Sequence, residues 1–419
     1  MWPCKNLDKW QVNKQNNVNF TVERAVFCFF WFFWLVYGVK LCHLGFGEDT
    51  DAWLMAQTAQ KLSFGEGYDP ARSFGNPVYE FLLVLIQPHQ NWFLSNLFNL
   101  FLASLFLWRL GKYFPGLSEI QLLTVRLTLL VLPIFTEAAT CSMEYMLVWF
   151  LLMEALLAEK NGQIWLFWCL VFLAVFTRFE FLLFFIPIIF YKNEKAISPL
   201  PFYFLLFIVA SFIFWSFGKN PAPFSSVEGS IYFYGGRLFF LFKQAGVLSA
   251  IYLGLLAGII FNLKEKNGYQ KVGIVALVFF VLFPFEWAYS FPAMIFGLVI
   301  LVSKSNKPSH LALPFFVLML TFIKIQTGSI LNYPSNFRNR EEMTRMYNVA
   351  QIIDYQQATL VLEGATFLPT DTRNWEKGLN NRLFHRKNSN FFVAEKLTLQ
   401  ELDSLKKVGM VVLKSLPMP

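Results

Sequence analysis

Glu48, Asp49 and Asp51 put three carboxylates within four residues, directly after an apolar run long enough to cross a bilayer. Charge that close to hydrocarbon is costly and by default marks a functional site in a protein-lined or wet cavity. Asp51 directly precedes AWLMAQTAQKL, a stretch rich in helix formers, and so is suited to cap a helix. A capping carboxylate accepts amide hydrogen bonds and stays ionised, which leaves a lone pair to take a proton from an acceptor hydroxyl. Capping alone is the plainer reading of the same residue. Glu48 and Asp49 read equally as solvated loop charges or as oxygen ligands for a divalent cation.

Further charges stand where apolar runs meet. FTEAATCSMEYML offers Glu137 and Glu144, the second opening a helix whose dipole favours an acid there. TRFE sets Arg178 and Glu180 between two apolar runs; residues two apart do not share a helix face, so each needs its own partner. Arg178 is a candidate phosphate ligand, because a guanidinium grips two phosphate oxygens at once. Glu286, Trp287 and Tyr289 precede Pro292 at a tight turn, where Trp and Tyr are also expected as belt residues. The connection GKNPAPFSSVEGSIYFYGGRLFFLFK and the helix after it supply Lys219, Arg237 and Lys243, the last suited to snorkelling. GxSxG, P-loop, HExxH and strand-borne GxGxxG signatures are missing. The four histidines, His43, His89, His310 and His385, lack ligand spacing, which argues against zinc.

The elements that must position these groups are membrane helices. Of 419 residues, 56% are hydrophobic, 19% aromatic and only 15% charged, with a mean hydropathy of +0.46. One soluble core could not hide that much apolar surface, so the expected fold is an all-α polytopic membrane protein. The net charge of +8 sits in short connections rather than on one stripe, which points to topology and not to nucleic acid. Arg24 leads into AVFCFFWFFWLVYGV without a cleavage pattern, so the start reads as a retained start-transfer helix. YEFLLVLIQP, with about ten apolar residues, is too short to cross a core about 30 Å thick and reads as re-entrant or interfacial. Further apolar segments at 91–110, 120–136, 144–158, 163–177, 180–191, 201–217, 237–262, 271–286, 288–303 and 310–326 bring the expected number of spans to about eleven.

With the N-terminus cytoplasmic, one set of connections collects Arg109, Lys112, Arg126, Lys160, Lys192, Lys195, Lys264, Lys266, Lys271, Lys304 and Lys307. The other holds only Lys61, Arg72, Arg178, Lys219 and Arg237, which is the positive-inside asymmetry. On that reading the polar stretch 48–80 and everything after Gly328 lie outside, giving a membrane domain over 1–327 with an outer loop 42–80, and a second domain over 328–419. In the latter, EEMTRMYNVAQIIDYQ and TLQELDSLKKVG read as helices and ATLVLEG and MVVLKS as strands, a small α/β module. Cys28 and Cys169 read as small core hydrophobes, while Cys42 and Cys141 near the outer face leave a bridge open.

The Asp-Ala-Trp loop with its short helix, followed by GYDPARSFGNPVYE, resembles the GT-C superfamily of integral-membrane glycosyltransferases, in particular its protein O-mannosyltransferase and aminoarabinose-transferase branch. SMEYML is similar to the acidic-Tyr pair of such relatives, FLAVFTRFEFLLFFIP to their Arg-containing hairpin, and EWAYSFPAMIFGLVI to their Glu…Tyr…Pro segment. Each motif is short; their order and shared sidedness carry the likeness. It implies that Asp51 is the catalytic aspartate, with Ala52 where a second acid is more familiar and Asp49 and Glu48 upstream instead. It also implies a polyprenyl-phosphate-linked sugar donor and a glycan, lipid or protein acceptor. Asp51 with Asp49 then forms the expected catalytic pair, and Glu48, Glu144, Arg178, Arg237, Lys243, Glu286 and Tyr289 the expected substrate-binding set, with a divalent cation left open. The rival classes are a transporter or lipid flippase, for which no internal symmetry is visible, and an oligosaccharide polymerase or ligase.

Overall fold

The computed structural model describes residues 22–47, 50–65, 67–68, 70–71, 75–86, 92–189 and 200–219, and beyond them 275, 295–299, 301–303, 311–322, 340, 360–363, 391–394 and 411–414. Among the described residues from 22 to 219 every regular element is helical. In chain order these are α1 (Val22–Cys42), α2 (Thr50–Ser63), α3 (Pro77–Ile86), α4 (Trp92–Tyr113), α5 (Glu119–Val131), α6 (Pro133–Thr140), α7 (Tyr145–Lys160) and α8 (Ile164–Thr177). A 3-10 turn (Phe179–Phe181), α9 (Leu182–Ile189) and α10 (Leu200–Lys219) follow, and α11 (Ala312–Phe322) packs along α5. Three short strands, Leu360–Glu363, Phe391–Ala394 and Val411–Lys414, form a parallel sheet with the first in the middle. The first and third fall within ATLVLEG and MVVLKS; the helices expected over 341–356 and 398–409 lie outside the described residues, as do most of the segments between 237 and 303.

Among the described residues, α1 and α4 are long and apolar enough to cross a membrane, and α5 with α6 makes a third candidate if the bent pair is one span. The bend, 72°, falls at Leu132–Pro133. A proline at the first position of α6 has no N–H to continue the ladder of α5, so the expected single run 120–136 splits there and its second part extends to Thr140. α3 is ten residues long, about 15 Å at 1.5 Å per residue, and does not reach across.

Helices α1, α4, α5–α6, α7 and α8 run alternately up and down, so their termini gather at two ends. Trp92 and Asn96 of α4 bond the residues that end and follow α1, and Ser142 bonds Phe46, at the end that carries α2. At the opposite end Arg24 meets Glu119, and Phe27 packs edge-on against Trp108. Between them runs a core of Phe106, Phe135, Trp149, Phe167 and Phe184, all buried. Bulky apolar side chains on the other faces, Phe29, Phe32 and Phe33 of α1, Phe101 of α4, Trp165 of α8 and Phe204 and Phe207 of α10, stand exposed, as a lipid-facing surface requires and a soluble one does not. Cys169 is exposed on that surface rather than in the core, whereas Cys28 is half-buried. Arg126, expected in a connection, stands inside α5, where it is buried, lies over the Phe27 ring and bonds the carbonyls of Leu107 and Trp108.

Candidate functional site

The end of α1 and the residues that follow it toward α2 are tied down carbonyl by carbonyl. Each of six consecutive carbonyls accepts a hydrogen bond from another element. Leu41 and Leu44 accept from Arg340, Cys42 and Gly45 from the Asn96 amide, His43 from the Trp92 indole and Phe46 from the Ser142 N–H, at 2.6 to 3.2 Å. A chain emerging from a helix has orphan carbonyls that demand donors, and here side chains supply most of them. Gly47, at φ +144°, completes the link: a Cβ there would come within 2.7 Å of the Cys141 Cβ and 3.5 Å of that of Ala52. Only glycine permits the start of α2 to lie so close to the Cys141 turn.

α2 buries Ala52, Met55, Ala56 and Ala59, a stripe of small and flexible residues that lets α3 approach closely. The helix starts at Thr50, so Asp51 stands in its first turn rather than at the cap as expected. In helical register position 51 falls four and seven residues before the buried Met55 and Thr58.

The turn Cys141–Glu144 lies against the link and is pinned from α4. Asn99 Nδ2 reaches Cys141 O at 2.5 Å, Met143 O at 3.0 Å and the Tyr79 hydroxyl at 2.9 Å. Ser142 Oγ donates to Asn96 Oδ1 at 2.7 Å and lies 2.5 Å from Ser95 Oγ. Ser95, Asn96 and Asn99 are all buried and spaced three and four apart on one face of an otherwise apolar helix.

Two buried ion pairs flank this turn. Glu144 sits at the N-cap position of α7, but its side chain makes no capping bond; Oε1 instead accepts from Arg178 Nη1 at 2.6 Å, with both side chains almost wholly buried (0% and 3% exposed). Arg178, which follows α8 in extended conformation, also lies over the Tyr145 ring and 3.7 Å from the carboxylate of Glu180. The guanidinium expected to seek phosphate pairs with Glu144 through Nη1. Glu137, on α6, pairs with Arg340 at 3.3 Å, again with both side chains buried.

A third buried carboxyl, Glu80 in the first turn of α3, organises the polar stretch before it. It accepts from the Tyr68 hydroxyl, the Ala71 N–H at 2.9 Å and the Asn76 N–H at 3.2 Å. Burial pushes its carboxyl above the ordinary range, against the three donors that pull it down, and the Glu144 charge adds to the rise. The Asn76 side-chain amide donates to Thr177 O at 3.2 Å in the orientation that satisfies both its ends, joining this stretch to α8 next to Arg178.

Of the residues expected to form the site, Glu144 and Arg178 are brought together, and position 51 lies on the helix that starts beside their turn. Glu48, Asp49, Arg237, Lys243, Glu286 and Tyr289 lie outside the described residues. Among the described residues no group of three or more His, Cys, Asp or Glu side chains converges as a metal site. Cys42 and Cys141 are both buried and carry free thiols. Sequence reading passed over Glu80, Asn96, Asn99 and Arg340. For Asn96 and Asn99 a signal existed, namely polar residues at helical spacing inside an apolar run. No protein-family model matches the chain, and no curated protein or solved structure matches it.

Proposed function

We propose that the chain is a multi-pass membrane glycosyltransferase of GT-C type, in which Asp51 is the general base that takes a proton from an acceptor hydroxyl. The donor is a polyprenyl-phosphate-linked sugar, direct attack inverts the anomeric carbon, and the acceptor is a glycan, lipid or protein. One observation carries the reading: the first turn of α2, which holds Asp51, starts against a turn flanked by two buried carboxylate–guanidinium pairs. A protein does not desolvate four charges at one end of a bundle for packing alone, since well-packed apolar side chains of similar volume serve stability as well or better. Pre-set, desolvated charges are what a developing phosphate leaving group and a departing proton need.

Glu144 holds the Arg178 guanidinium in place. The cationic partner of the lipid phosphate is sought in Arg178, Arg237 and Lys243. In full, the reading has about eleven spans, the N-terminus in the cytoplasm, the loop 42–80 outside the inner or plasma membrane, and residues 328–419 as an extracytoplasmic α/β module containing the parallel sheet.

The test is purified protein in lipid vesicles supplied with radiolabelled polyprenyl-phosphate sugars and a mixture of hydroxyl acceptors, with and without chelator. Label appearing on an acceptor supports the reading. Label moved across the vesicle membrane with no covalent transfer assigns the chain to the transporters or flippases instead.

A further inference from the structure

Arg340 comes from far beyond the bundle in sequence, yet its side chain is wholly buried at the α2 end. A guanidinium has five N–H donors, and here each finds an acceptor. Nε donates to Leu44 O at 3.2 Å. Nη1 donates to Glu137 Oε2 at 3.3 Å and Thr140 Oγ1 at 2.7 Å. Nη2 donates to Leu41 O at 3.0 Å and Thr140 O at 2.7 Å. The acceptors belong to the last turns of α1 and α6 and to the second residue past α1, where helices leave carbonyls unsatisfied and where the dipole favours a cation. With every N–H engaged, Arg340 has no donor left for a ligand phosphate. Its place is that of a clasp: it holds the ends of α1 and α6 at one spacing, and the link Gly45–Gly47 that leads to α2 starts from the carbonyls it grips.

We infer that Arg340 is the positioning residue of the α2 end, fixing through the α1–α2 link where the first turn of α2 stands against the Cys141 turn. The part of this inference that concerns catalysis rests on the proposed glycosyl transfer; the part that concerns geometry does not. Lysine cannot substitute, because an ammonium has three donors in a compact head and cannot span acceptors on two helices. Thr140→Val removes one acceptor and is the mildest break.

The bundle carries its own reporters. Cys42 and Cys141 are buried thiols on either side of the clasp. In the full chain in detergent micelles, modification by a small maleimide, mapped by peptide mass, reads how often this end opens. We expect Arg340→Lys to speed modification of both thiols by about tenfold or more and Thr140→Val by less, through local opening. Arg109→Ala, at the far end, should leave it unchanged. If Arg340→Ala does not fold, Arg340→Lys and Thr140→Val still decide. Thiols as protected in folded Arg340→Lys as in the parent overturn the inference, as does equal exposure in Arg109→Ala. If transfer activity is present, Arg340→Lys should lower kcat by about tenfold to a hundredfold with donor KM little changed, the signature of a displaced reacting group. Opened thiols in a chain with no transfer activity would leave the clasp standing and remove only the proposed function.

Discussion

The two ends of the bundle handle ion pairs in opposite ways. At the α2 end the pairs Glu144–Arg178 and Glu137–Arg340 have side-chain exposures of 0%/3% and 1%/0%. At the far end Arg24–Glu119 is 43%/41% exposed and Arg109–Glu154 27%/16%. The far-end pairs are partly exposed, and Arg109 with Tyr113 joins the last turn of α4 to Glu154 of α7. They hold helix ends together at modest cost. The α2-end pairs are buried, and Arg340 is joined further to the carbonyls of Leu41, Leu44 and Thr140 and to the Thr140 hydroxyl. The difference teaches where the molecule needs a fixed geometry rather than mere cohesion, and that is around the helix bearing Asp51.

The sharpest way to break the contrast is to orphan one charge at each end. Arg178→Ala leaves the Glu144 carboxylate buried beside no guanidinium, and the expected loss is about 3–5 kcal/mol, read as a fall in thermal midpoint or in folded yield. Arg178→Met with Glu144→Gln should recover much of it, because no unpaired charge remains. A single variant as stable as the parent would show that the pair is not desolvated.

A second test uses pH. The Glu80 carboxyl is raised in the folded state above its ordinary value of 4.5, chiefly by burial. A carboxyl raised in this way contributes stability that is present in full below the unfolded value and is lost as pH rises through the folded one. Unfolding midpoints taken upward from pH 4.5 should therefore fall more steeply in the parent than in Glu80→Gln, which cannot titrate. Parallel curves would sink the assignment. The smallest effect belongs to the far end: Arg24→Ala should cost at most about 1 kcal/mol, and less in high salt.

How much of this was legible beforehand follows from the range of each interaction. α1, α4, α7 and α8 announce themselves because an apolar run is a local property. The break at Leu132–Pro133 was equally local and was passed over, since the run stays apolar through the proline. Glu144 and Arg178 were each visible as charges at the margins of apolar runs, but not as a pair, because bringing them together depends on how α7 and α8 pack. Asp51 has the residue type of a cap, yet the helix already includes Thr50 before it. Arg340 had no local mark at all; its acceptors lie about 200 residues and more upstream, and nothing in its own surroundings sets it apart from the neighbouring arginines.

The central claim, that Asp51 is the base of the proposed transfer, is met most directly by Asp51→Asn assayed for sugar transfer in vesicles beside a measurement of its thermal midpoint. The exchange keeps size and removes the base, so transfer should fall by about a hundredfold or more while the midpoint stays near that of the parent. Undiminished transfer by the folded variant would contradict the account.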